Sequence, residues 1–229
     1  MKKLALPVLV LLAALSVSCN SPRYYQSATP APMINRQGEF YANTGLLVYA
    51  AESSNFYFQT GYAPLPHTSL LIGLFTSYYG DVEYSGSIGY FKSLRDENSN
   101  VVPVWDIYAG VRSSLDNKYG FARERDLFLQ TTWGLKHKIF EVGVTARYVN
   151  VALHDPLYLD LFEPALTTKI GYKWVKLILY GGGSFLLHKA PADYEEKYIF
   201  SPLYLSLGLQ FDVVPSDFKK KDQVARKSF

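Results

Sequence analysis

Four histidines, His67, His137, His154 and His188, are the neutral-pH bases of this 229-residue chain. None is spaced like the HExxH pair that holds zinc, so no metal ligand is assigned. His154 precedes Asp155 in "VALHDPLYLDLFEP", and a base beside an orienting carboxylate can activate a hydroxyl nucleophile. A lipid-editing barrel enzyme would use such groups, yet no nucleophile is marked beside them, and no catalytic residue is assigned. His137 falls in a tight basic turn and reads as solvated. The stretch "HKAPADYEEKYIFSP" gathers Asp193, Glu195 and Glu196, which reads as a charged loop in water rather than a cation site. The tail 215–229 carries Lys219, Lys220, Lys221, Arg226 and Lys227. It would attract anionic headgroups or an acidic partner, or else be a disordered end. The net charge of +3 is too small and too dispersed to argue for nucleic acid.

One further residue has distinctive chemistry. Cys19 is the only cysteine, which excludes an internal disulfide framework and leaves a spare thiol, an intermolecular pair or a modified residue. It ends an apolar run, Leu4 to Val17, behind Lys2 and Lys3. A bilayer-spanning helix needs about 20 apolar residues, so this run is too short to span, and its basic start, short apolar middle and small residues around Ser18 are those of an export signal. Ser16-Val17-Ser18-Cys19 resembles the lipobox of bacterial lipoproteins in its Bacteroidetes form, with serine where the stricter pattern has leucine. The resemblance implies cleavage after Ser18 and acylation of Cys19, each buried methylene contributing about 0.8 kcal/mol to anchoring. Ser21-Pro22-Arg23 follow in place of the acidic residues that resemble a surface-export signal, so the anchor is expected in the periplasmic leaflet.

Residues 19–37, polar and broken by Pro22, Pro30 and Pro32, read as a tether. From 38 to 214 the pattern becomes short segments rich in Tyr, Phe, Leu, Val, Thr and Gly, alternating in character and separated by turn residues. In "YLSLGLQFDV" Leu205, Leu207, Leu209, Phe211 and Val213 share one face, and Tyr204, Ser206, Gly208, Gln210 and Asp212 the other. Repeated many times, with aromatics near the segment ends, this is the greasy-outside, polar-inside pattern of a membrane β-barrel. Because no later run is long enough for a membrane helix, a closed barrel is also the only spanning structure that satisfies every backbone group in lipid. The turns divide the region into about ten antiparallel strands, with eight as the rival: 39–50, 55–64, 68–79, 82–94, 101–114, 125–136, 138–150, 162–173, 175–188 and 199–213. Long connections are expected at 114–125, 152–161 and 189–198, alternating with tight turns around His137 and Trp174.

The inward faces of these strands carry a glycine each: Gly45, Gly61, Gly73, Gly89, Gly110, Gly134, Gly143, Gly171, Gly182 and Gly208. Glycine lets a small barrel coil and leaves room for large neighbours; a ligand cavity is the functional alternative. The same faces carry Glu39, Glu83, Asp106, Glu141 and Asp212 against Arg112, Lys136, Arg147 and Lys169. A selective pore tends to show one dominant sign, whereas mixed charges in a narrow lumen pair with one another. A closed or very narrow lumen is expected.

Tyr24-Tyr25 and "APMINRQGEFYANTGL", with Gly38-Glu39 opening the first strand, followed by "FYFQTGYAPLPHTSLLIGL", resemble the start of small outer-membrane lipoproteins of Bacteroidetes. The likeness runs over residues 15 to 75. "GLQFDV" resembles the terminal signal read by the barrel-assembly machinery, although the chain continues to Phe229. The resemblance implies location and fold: an outer-membrane barrel with no cofactor, meeting outer-membrane lipids and, during biogenesis, the assembly machinery. Function is then expected to be non-enzymatic, as an envelope structural or interaction component or an accessory subunit with a protein partner in the envelope. A narrow conduit or binder of a small or lipidic molecule is the second reading.

Overall fold

The computed structural model describes residues 30–49, 54–76, 82–95, 100–114, 125–154, 157–172, 174–187 and 203–213. The alternating segments become strands: β1 Phe40–Tyr49, β2 Ser54–Leu65, β3 Thr68–Thr76, β4 Val82–Ser93, β5 Val101–Ser114, β6 Arg125–His137, β7 Phe140–His154, β8 Leu157–Tyr172, β9 Val175–Gly183, β10 Phe185–Leu186 and β11 Leu203–Val213. The short β10 continues β9 past Ser184 and pairs with the same neighbour, β8. The wall therefore has ten staves rather than eight.

Each stave pairs antiparallel with its neighbours in sequence, and the last closes onto the first from Phe40↔Val213 to Tyr49↔Tyr204. Closure removes the two free edges that an open sheet would have; among the described residues β10 pairs with β8 alone. At the end where β1 begins, here the near end, three of the four links span two residues each, those of β2 to β3, β6 to β7 and β8 to β9, and β4 is joined to β5 by residues 94–100. Pro66 and His67 turn β2 into β3, with His67 at φ 61°. That left-handed conformation is disfavoured for a residue with a Cβ, and contacts on both sides hold it: Phe91 N–H donates to the His67 carbonyl at 3.0 Å, and the His67 ring stacks on Tyr90 at 5.6 Å.

Alternation decides which side each residue takes, since successive side chains of a strand point to opposite faces. In β11 the odd-numbered residues Leu205 to Val213 are exposed and the even-numbered ones from Tyr204 to Asp212 buried. The outer surface is mainly aliphatic at mid-height, with Leu46, Ile72, Ile88, Leu129, Val144, Leu166, Leu179 and Leu207 exposed beside Phe58 and Phe162. Aromatic side chains bracket it: Phe40, Tyr62, Tyr90, Trp133, Phe140, Tyr172, Trp174 and Phe211 at the near end, and Phe56, Tyr84, Tyr148, Tyr158 and Phe185 at the far end. The near-end row is continuous in places, Tyr90 meeting Trp105 at 6.1 Å and Trp105 meeting Trp133 at 5.7 Å.

The expected long connection at 152–161 is corrected by the structure. β7 continues to His154 and β8 begins at Leu157, with a register shift between Ala152 and His154. The cause is packing: Val149 and Val151 of β7 meet Leu159 and Leu161 of β8 inside the barrel, with Phe128 and Leu186 against them.

Candidate functional site

The chemistry-bearing side chains converge on the lumen. All ten glycines named above fall on the inward parity of their strands, and most have a large neighbour lying where a Cβ would stand. The Tyr41 ring covers Gly61, Tyr108 covers Gly89, and Tyr57 leans on Gly45 and Gly208. These tyrosines are almost wholly buried, so the glycines create room for ring packing rather than an empty cavity.

Eight-stranded barrels fill with their own side chains, and wider barrels leave space. Here the extra space is occupied by the chain itself. Within the range read as a tether, residues 30–34 are buried, Ala31, Met33 and Ile34 completely. The segment enters at the near end, where Gly38 N–H donates to the Ala63 carbonyl at 2.8 Å and Ala63 N–H donates to the Glu39 carbonyl at 3.0 Å. Ser93 Oγ donates to the Asn35 carbonyl at 2.7 Å, and Asn35 N–H donates to Glu39 Oε2 at 3.0 Å. Deeper inside, Lys136 Nζ donates to the Met33 carbonyl at 3.2 Å and Lys169 Nζ to the Pro32 carbonyl at 3.3 Å. Ala31 N–H ends the series by donating to Thr167 Oγ1 at 3.0 Å. The segment is irregular, with Met33 at φ 52°, and its backbone needs such partners because buried unpaired amides cost free energy.

Gly134 and Gly143, opposite each other in the β6–β7 register, form the seat for Met33. A Cβ at Gly134 would stand 2.8 Å from Met33 Sδ, and one at Gly143 would stand 3.1 Å from that sulfur and 3.2 Å from Ala31 Cβ. A larger residue at either position would have to displace the Met33 side chain from this seat. Burial of Met33 and Ile34 contributes about 1.5–3 kcal/mol each.

Seven carboxylates, Glu39, Glu83, Asp106, Asp126, Glu141, Glu163 and Asp212, face five cations, Arg112, Lys136, Arg147, Lys169 and Lys176, inside the barrel among the described residues. At the near end Glu141 is fully buried among three lysines, with Lys176 at 2.6 Å, Lys169 at 3.3 Å and Lys136 at 3.9 Å. Lys176 also pairs with Asp212, Lys136 with Glu39, and the Lys169 ammonium lies 5.8 Å from the Tyr41 ring centroid. Toward the far end, Arg112 and Asp126 stand opposite each other in register with Arg112 Nε 2.7 Å from Asp126 Oδ2, and Glu83 lies 3.9 Å away. Arg147 and Glu163 repeat the arrangement at 2.7 Å, with Ser184 Oγ donating to Glu163 at 3.3 Å. Tyr180 and Tyr204 share a hydroxyl hydrogen bond of 2.8 Å nearby.

The pairing partners Asp126, Glu163 and Lys176 were missed by sequence reading, as was the entry of residues 30–36. Extending the inward parity by one step would have found the first three: Asp126 before Phe128, Glu163 before Ala165, Lys176 before Ile178. Asp106 is buried opposite Thr132 in the β5–β6 register. His67 sits in a near-end turn, His137 ends β6 with its ring centroid 4.8 Å from that of Phe140, and His154 ends β7. The His67 ring meets Tyr90 and Phe91 and the His137 ring meets Phe140, and among the described residues no group of three His, Cys, Asp or Glu side chains has the arrangement of a metal site. The signal 1–18, Cys19, Asp155, His188, Asp193, Glu195, Glu196 and the tail 215–229 lie outside the described residues. No protein-family model and no curated protein matches the chain.

Proposed function

We propose that the chain is a small, non-enzymatic lipoprotein of the bacterial outer membrane, held by an acylated Cys19 in the periplasmic leaflet and acting as an envelope structural or interaction component. The observation that carries this reading is the surface of the closed barrel: an aliphatic band between two aromatic rows, outside a wall whose interior is polar and filled. A water-soluble barrel would hide its greasy face inside, whereas here the apolar side chains point out and the ion pairs point in. Aromatic girdles at both interfaces and an apolar band between them are the features that lipid selects. The near end, with its three two-residue turns and the chain's entry, would face the periplasm. Outer-membrane lipids and the assembly machinery are then its necessary partners, and a protein partner in the envelope, as for an accessory subunit, fits a barrel with a filled lumen.

The test is gel migration of the full chain from carbonate-washed outer membranes, unheated against boiled. A faster unheated band that survives the wash supports the reading. Release by carbonate with no mobility difference overturns it. A radiolabelled fatty acid incorporated into wild type and not into Cys19→Ala tests the anchor separately.

A conduit or binder of a small molecule is favoured by one observation, that the lumen is occupied by a separate stretch of chain rather than by wall side chains alone.

A further inference from the structure

We infer that the outer face of β4, β5 and β6 at the near end binds a phospholipid whose headgroup carries net negative charge. Lys92 and Arg95 take the phosphate, and the rings of Tyr90, Trp105 and Trp133 take the glycerol and the first methylenes of the chains. The inference rests on the membrane-barrel reading.

Register sets the site. Lys92 of β4 stands opposite Trp105 of β5, and Trp105 opposite Trp133 of β6, so the three side chains form one row on the outward parity of the wall. The rings make a platform: His67 stacks on Tyr90 at 5.6 Å, Tyr90 meets Trp105 at 6.1 Å, and Trp105 meets Trp133 at 5.7 Å. Trp105 Nε1 donates to Thr131 Oγ1 at 2.9 Å, which spends the indole N–H on the wall and leaves the ring as contact surface. Because β4 runs toward the near end, Lys92 and Arg95, both exposed, lie beyond Tyr90 along it. A lysine at this depth lays its methylenes along the apolar wall and lifts its ammonium to headgroup level. Leu94 N–H donates to the Pro103 carbonyl at 2.9 Å, which holds the chain to β5 just before Arg95.

Charge chooses the headgroup. At the near end Glu39, Glu141 and Asp212 are buried and paired with lumen lysines. Asp160, the one described carboxylate that is not buried, lies toward the far end. The exposed charged side chains of the near end among the described residues, Lys92, Arg95 and Lys138, are all cationic. A zwitterionic headgroup brings an ammonium that needs an acid, and the described rim presents none. A phosphate diester without an amine fits, and basic side chains at a membrane surface favour such lipids.

Trp105, Trp133 and Trp174 are the only three tryptophans of the chain, so fluorescence reads the platform directly. Full-length Trp174→Phe protein is reconstituted in phosphatidylcholine vesicles with rising fractions of brominated phosphatidylglycerol or, separately, brominated phosphatidylcholine. Quenching is expected to saturate at an about tenfold lower fraction of the anionic lipid. Lys92→Gln with Arg95→Gln should bring the two curves together, whereas Lys92→Arg with Arg95→Lys keeps them apart. Salt at about 1 M, where the Debye length is about 3 Å, should narrow the gap without any change at the rim. Coincident curves at low salt overturn the inference, as does a preference that survives salt or the glutamine pair. Coincident curves together with retention on immobilised polyglutamate assign the rim to an acidic protein and overturn it too. No quenching by either lipid, with release by carbonate, sinks the membrane reading itself.

Discussion

The two ends of the lumen solve the same problem, burial of charge, in different ways. At the far end each arginine pairs with the carboxylate directly opposite on the adjacent strand, Arg112 with Asp126 and Arg147 with Glu163. At the near end the lysines reach further: Lys176 of β9 meets Glu141 of β7, and Lys136 of β6 meets Glu39 ahead of β1. A planar guanidinium suits a fixed, in-register pair, and a flexible ammonium suits several acceptors at once. The far end thus clamps neighbouring staves, while the near end ties non-neighbouring staves and an inserted segment into one network. The difference teaches that the near-end charges hold something in place as well as one another.

That contrast can be broken most severely at Glu141. Glu141→Gln leaves Lys169 buried beside a neutral group, and losing one partner of a buried pair costs about 3–5 kcal/mol; urea titration of the heat-modifiable form should show that loss. The far end should behave as a replaceable pair. Arg147→Met alone should cost about 3 kcal/mol, while Arg147→Met with Glu163→Leu should recover most of it, since apolar replacement of a buried pair is often neutral or stabilising. Equal costs for the single and double variants would contradict the clamp description. Gly134→Val should cost about 1–3 kcal/mol through overpacking and should also increase protease cleavage within residues 30–37, a readout that a far-end glycine such as Gly182→Val should not reproduce. The smallest effect is expected on the outer wall: Trp105→Phe removes the 2.9 Å bond from Trp105 Nε1 to Thr131 Oγ1 at about 0.5–1.5 kcal/mol, with protease cleavage within residues 30–37 unchanged.

The wall was readable from the sequence because alternation is a local signal. Leu205 to Val213 against Tyr204 to Asp212 fixes faces without knowledge of any partner strand. The ten-stave count followed from turn chemistry. Strand ends were less visible, because Val151 and Leu159 extend a hairpin only through contact with each other across it. The inserted segment was not visible at all. "PAPMIN" has no strand period, its prolines resemble a linker, and its burial depends on Lys136, Lys169 and Thr167, which lie more than 100 residues away. Even so, Gly134 and Gly143 hinted at it: they face each other across two strands with no wall aromatic assigned to cover them.

The seam between β1 and β11 joins the first strand of the wall to the last, so the ring shuts only after Val213 has been made and delivered. Pairing of such distant segments is slow, because the whole intervening loop must be ordered first. Residues 30–36 are synthesised before any stave and are covalently continuous with β1. They therefore sit beside the seam during assembly, placed to be enclosed as the ring closes rather than pushed in afterwards. Closure would then be the step that commits the lumen to its occupant, and a chain interrupted before β11 would expose both an unpaired edge and the segment that should have been sealed inside.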